Sequence, residues 1–133
     1  MESVVVDTNV LVRFLARDDS EQWRIATSIF IGQRVTILST VLLETEWVLR
    51  KVLKFDHGLI KALFRNLTQS SMICLEDTTR VNLALELHEA GMDFADAFHL
   101  ASVRPPGTFL TFDRHLVRVA HRHFSLVSVK LAQ

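Results

Sequence analysis

The chain has one cysteine, two prolines, four glycines and no excess of charge of either sign. Each scarcity excludes something. Cys74 alone can form neither an internal disulfide nor a cysteine-rich metal site, and within Met72-Ile73-Cys74-Leu75 it reads as core packing. With 49% hydrophobic and 23% charged residues, so little Gly and Pro rules out a disordered or fibrous chain. The apolar N-terminal stretch has no basic leader and is broken by Asp7 and Arg13, so a cytoplasmic protein without a membrane partner is expected. Six histidines fall into no His-Glu-x-x-His or Cys/His grouping, which argues against a histidine metal site. Fifteen basic residues balance fifteen acids, so no global field draws in a polyanion. A nucleic-acid partner then requires an uneven distribution, with acids gathered in one pocket and basic residues in excess elsewhere.

What is present is a regular alternation of elements. At 133 residues the chain has the size of one domain, residues 1–133, and can bury roughly two thirds of its unfolded surface. Val4 to Val6 form a β-branched strand that ends at Asp7, and a helix follows to about Ala16. Ser20 can cap a second helix that Gly32 stops, before a strand at Val35 to Leu38. Ser39 or Thr40 can cap a third helix from about Val41 to Leu53, and Asp56 a fourth ending near Gln69, the two forming a helical hairpin. Met72 to Leu75 is the third strand; Asp77 or Thr78 caps a helix ending near Gly91, and Asp93 caps one from Phe94 to about Val103. Phe109 to Thr111 is the fourth strand, Asp113 opens a short helix through about His121, and Leu126 to Val129 is a fifth strand. Such an order favours a mostly parallel sheet of four or five strands, covered by helices on both faces in three α/β/α layers, with function at the carboxyl ends of strands.

Four acids do not look like surface charges. Asp7, Glu44 and Asp96 lie in apolar segments, and Asp113 directly follows a strand. An isolated carboxylate near a core takes up a proton or finds a partner. Carboxylates about 4 Å apart repel by about 4 kcal/mol at an effective dielectric near 20, so a gathering of them needs a cation. No Arg or Lys lies within four residues of Asp7 or Asp96, and oxygen-only ligands suit Mg²⁺ or Mn²⁺. Taken singly, Asp7 and Asp113 can also be helix caps, Glu44 an exposed helix charge and Asp96 a structural acid.

These residues resemble the PIN-domain family across essentially the whole chain, and within it the VapC-type toxins of toxin-antitoxin pairs. The family's opening strand followed by Asp-Thr-Asn is matched by Asp7, Thr8 and Asn9. Its acid in a Leu-rich helix is matched around Leu42, Leu43, Glu44, Thr45, Glu46 and Trp47, where the register to Trp47 and Leu49 prefers Glu44 to Glu46. Asp96-Ala97-Phe98-His99-Leu100-Ala101 matches the third motif and Thr111-Phe112-Asp113 the fourth. Each fragment is weak; four in order are a strong combined signal.

The resemblance implies an endoribonuclease. Asp7, Asp96 and Asp113 would hold Mg²⁺ or Mn²⁺, with Glu44 orienting or deprotonating water. Thr8, Asn9 and Thr111 would support the ligands by hydrogen bonds, and Asp93 would touch bound water or merely cap its helix. Arg13, Arg17, Arg114 and Arg118 are placed to offset the charge of RNA, or else lie on solvated faces. His99, one turn from Asp96, can shuttle a proton or simply pack. The third helix spreads Val41, Leu42, Leu43, Trp47, Val48, Leu49, Val52 and Leu53 over more than one face, implying a second buried surface. In proteins of this kind that surface serves a homodimer and a small antitoxin.

Three other readings compete. A receiver-like signalling domain also gathers acids at strand ends, with Glu76, Asp77 and Lys130 loosely where it wants them, but leaves Glu44 and Asp96 without a task. A catalytically silent PIN module would bind RNA or antitoxin only. A related nuclease would cut DNA.

Overall fold

A computed structural model describes residues 3–133. The chain divides into two compact units, one up to Thr78 and one from Thr79. Strands alternate with helices in both, and every strand pairing is parallel, as the α/β reading expected.

In the first unit, β1 (Ser3–Val5), β2 (Arg34–Ile37) and β3 (Ile73–Leu75) form a ladder in the order β1-β2-β3. Val4, Val35 and Ile73 share one row, and Val5, Thr36 and Cys74 the next. Parallel register sends each row to a single face. Val35 and Ile37 are 0% and 1% exposed, whereas Val5 is 58% exposed and Cys74 is exposed as well. Cys74 is therefore not core packing: it lies in the row that alternates away from Val35, and a short apolar run does not reveal that parity.

Helices α1 (Thr8–Ala16) and α2 (Glu21–Gly32) pack on each other, with Phe14 stacked on Phe30 at 4.0 Å between ring centres. Arg17 closes α1 in the left-handed region at φ 51, and Ser20 caps α2 through the Trp23 N–H. Helix α3 (Ser39–Trp47) has neither Ser39 nor Thr40 as its cap. Leu38 occupies that position without a side-chain bond, and the carboxylate of Glu76 accepts the Ser39 N–H at 2.8 Å from 37 residues away. Beyond Trp47 the helix continues with π winding over Val48–Val52, where the Leu53 N–H reaches the Val48 carbonyl at 3.0 Å. Asp56 caps α4 (His57–Gln69), which buries Ile60, Phe64 and Leu67 and packs on the π-wound segment, giving the expected hairpin.

The second unit holds α5 (Thr78–Glu89) from its second residue on, and α6 (Phe94–Ala101). The loop between them is pinned twice: His88 Nδ1 donates to the Met92 carbonyl at 2.7 Å and His115 Nε2 to the Gly91 carbonyl at 2.9 Å. Gly91 sits at φ 111, where any side chain is strained. Strands β4 (Thr108–Thr111) and β5 (Ser128–Leu131) pair with α7 (Arg114–His123) packed on both, and His121 Nε2 donates to the Val129 carbonyl at 2.9 Å. Strand β5 starts at Ser128 and not at Leu126, because the ladder opposite β4 runs from Ser128 to Leu131 and leaves Leu126 62% exposed. Among the described residues, no helix is long and apolar enough to cross a membrane.

Candidate active site

Asp7 follows β1 and caps α1, its Oδ1 accepting the Val10 N–H at 3.1 Å. This places a carboxylate where the helix dipole stabilises negative charge. Thr8, the first residue of α1, donates from Oγ1 to Glu44 Oε1 at 2.5 Å. Asp7, Thr8, Asn9, Val12, Val41, Glu44 and Val48 line one open depression of about 460 Å³. Two carboxylates 37 positions apart in the chain thus face one cavity.

Glu46, the competing acid, is occupied elsewhere. It is 3% exposed and its carboxylate takes Arg50 Nε at 2.8 Å and Nη2 at 3.3 Å, one turn on. Its charge is neutralised inside the fold, while Glu44 stays exposed beside Thr8. The spacing of Glu46 and Arg50 was visible in the sequence as an i, i+4 pair.

In the second unit, Asp93 caps α6 through the Asp96 N–H at 3.3 Å. Asp113 caps α7 through the Leu116 N–H at 3.1 Å, and its own N–H is held by Thr111 Oγ1 at 3.0 Å. Asp96 is half-buried, and its carboxyl is held above the ordinary aspartate range, first by burial and then by the negative charges of Asp93 and Asp113; His99 opposes the shift. Three of the candidate acids, Asp7, Asp93 and Asp113, are therefore helix caps, as their simplest reading required. Capping engages one oxygen of each, so it does not exclude a second role for the other.

The candidate arginines differ among themselves. Arg13 donates to Asp18 at 3.2 Å and lines an apolar groove of about 230 Å³ between α1 and α2, together with Asn9, Val10, Gln22, Ile25, Ala26 and Ile29. Arg17 is exposed at the end of α1, and Arg114 and Arg118 are exposed one turn apart on α7. Glu76, which the receiver-like reading needs, is committed to capping α3. Sequence reasoning missed that role, because a cap supplied by a residue 37 positions away leaves no local pattern.

In each unit taken by itself the candidate donors are carboxylate oxygens, a chemistry that suits a hard divalent cation. Among the described residues, no group of three or more His, Cys, Asp or Glu side chains is drawn closely enough together to hold a metal ion.

The family profile of the PIN domain matches residues 4–122, and the chain belongs to that family. The PIN domain is generally a nuclease module, hence a hydrolase, and usually works with divalent metal ions. Neither a search of curated proteins nor one of solved structures found a match.

Proposed function

We propose that this protein is a Mg²⁺- or Mn²⁺-dependent endoribonuclease, the VapC-type toxin of a toxin-antitoxin pair. The observation that carries the metal is Asp96. Burial first, and then the charges of Asp93 and Asp113, push its carboxyl toward protonation, and a cation in place of the proton relieves the charge. Asp7, Asp96 and Asp113 are the residues assigned to hold it. When bound, such an ion supplies Lewis acidity, which makes hydroxide available near neutral pH and offsets charge on the phosphate. Glu44 orients the attacking water and accepts its proton, and Thr8 fixes the carboxylate that does so. Water adds to phosphorus, one phosphodiester P–O bond breaks, and the leaving oxygen takes up a proton. Arg114 and Arg118 receive flanking phosphates.

Partners are part of the proposal. Ile25 and Ile31 on α2 are 54% and 74% exposed, and Val52 and Leu53 at the π-wound end of the third helix are 58% and 37% exposed. The third helix was expected to bury a second face, and these side chains are what a homodimer or an antitoxin helix would cover. A cytoplasmic setting goes with that partnership.

The test is a panel of labelled RNAs and DNAs incubated with purified protein with and without Mg²⁺ or Mn²⁺, beside Asp7→Asn and Asp96→Asn. Metal-dependent RNA cuts that both folded variants lose support the reading. Cleavage of DNA alone changes the substrate, and binding without cleavage leaves only a silent module.

A further inference from the structure

Helix α5 closes on Gly91 at φ 111, where the Gly91 N–H returns to the His88 carbonyl at 3.0 Å and the Met92 N–H to the Leu87 carbonyl at 3.1 Å. That closure uses both amides and leaves both carbonyls to find donors elsewhere. The Met92 carbonyl is taken locally, by His88 of the same helix at 2.7 Å. The Gly91 carbonyl is taken from 24 positions away, by Nε2 of His115 in the first turn of α7 at 2.9 Å. A carbonyl only accepts, so this ring nitrogen carries the hydrogen.

Each end of that bond lies two residues from a candidate acid. Asp93 follows Gly91 and caps α6 through the Asp96 N–H; Asp113 precedes His115 and caps α7 through the Leu116 N–H. Two residues of chain span at most about 7 Å, so this one hydrogen bond limits how far the start of α6 can stand from the start of α7. The carboxylates at those starts oppose the approach, since the negative charges of Asp93 and Asp113 both act on Asp96. A second histidine of α7 shows the same bond without the acids. His121 Nε2 donates to the Val129 carbonyl at 2.9 Å, tying α7 to β5, and no acid lies within two residues of either end.

We infer that His115 is a positioning residue, a clamp that holds the start of α6, bearing Asp93 and Asp96, to the start of α7, bearing Asp113, against the repulsion of their carboxylates. The clamp belongs to the second unit alone. Its use rests on the metal-dependent reading: it keeps carboxylate oxygens of both helices where one cation can draw on them.

The first measurement contains no metal. In the full chain, at a pH above the folded value of Asp96, Asp96→Asn removes one of the repelling charges and raises the urea midpoint. Combined with His115→Ala that gain shrinks, because helix starts free to separate have already relieved the repulsion; combined with His121→Ala it stays whole. The second measurement titrates Mn²⁺ alone into the full chain. His115→Ala binds it roughly 10- to 100-fold more weakly, and His121→Ala binds it as the parent does. His115→Gln, whose amide reaches as far as Nε2, restores both readouts. His115→Asn, one methylene shorter, restores neither, a contrast that decides the question even where the alanine variant does not fold. An Asp96→Asn gain of the same size with and without His115, Mn²⁺ bound equally by the parent and His115→Ala, or a glutamine variant no better than alanine each overturns the clamp. A parent that binds no Mn²⁺ but keeps the His115 dependence of the gain leaves the clamp standing and overturns the metal-dependent reading.

Discussion

Thr8 Oγ1 donates to Glu44 Oε1 at 2.5 Å, joining the first residue of α1 to the middle of α3 across 36 positions. The bond holds a carboxylate over the same depression that Asp7 lines. A helix-start threonine is thereby a positioning residue for an acid on another helix.

Thr8→Val keeps the shape and removes the donor. Groups that orient functional carboxylates typically cost 10- to 100-fold when lost. RNA cleavage by Thr8→Val is expected to fall by about that factor with the melting point little changed, and Thr8→Ser is expected to restore most of it. Equal rates for wild type and Thr8→Val would mean that Glu44 needs no such support.

Glu76 predicts the opposite pattern. Its carboxylate caps α3 through Ser39, and losing a cap costs about 0.5–2 kcal/mol. Glu76→Ala should lower the urea midpoint accordingly while leaving metal-dependent cleavage near wild type. A variant as stable as the parent would show that the cap contributes nothing; loss of cleavage without loss of stability would give Glu76 a part in the reaction itself.

These two residues mark where the sequence was legible and where it was not. Asp7, Ser20, Asp56, Asp93 and Asp113 each cap the helix that follows, because capping is a local grammar of a polar side chain followed by an apolar periodic run. Glu76 caps from a distance, and no window of sequence contains both ends of that bond. The π winding at Val48–Val52 was also hidden, since an apolar helix run has the same composition whether its bonds span four residues or five. Cys74 failed for a third reason: its face depends on register with Thr36, which is set by the ladder and not by its neighbours. Of the candidate site, the local settings of the acids and the i, i+4 spacing of Glu46 and Arg50 were readable; the burial of that ion pair and the bond from Thr8 to Glu44, 36 positions apart, were not.

That ion pair gives a separable test. Arg50→Met strands the Glu46 carboxylate, whose side chain is 4% exposed, and breaking a buried pair from one side costs about 3–5 kcal/mol. The double replacement Glu46→Leu with Arg50→Met should recover most of the stability in denaturant titration, because both charges are gone. In the same set, Glu46→Gln should keep RNA cleavage within a few-fold of wild type. Glu44→Gln should lose on the order of 100-fold or more, the scale of a removed general base. The reverse ranking would transfer the role to Glu46.

The raised carboxyl of Asp96 predicts a pH dependence and, on the proposed function, a metal response. Burial, Asp93 and Asp113 raise its folded-state pKa above the ordinary aspartate range. Between the unfolded and folded values the native chain binds more protons than the unfolded one, so stability falls as pH rises through that window, and the penalty is complete above the folded value. Metal-free Asp96→Asn, whose amide carries no charge at any pH, should melt above wild type once pH exceeds the folded value. The difference should disappear as pH falls below the unfolded value, where the wild-type carboxyl is protonated in both states. Adding Mg²⁺ at about 100 times its Kd should then raise wild-type stability by about 2.7 kcal/mol and Asp96→Asn by less, since a cation relieves only a charge that exists. A variant that melts below wild type at every pH, with the same Mg²⁺ response, would place Asp96 outside any metal-holding role.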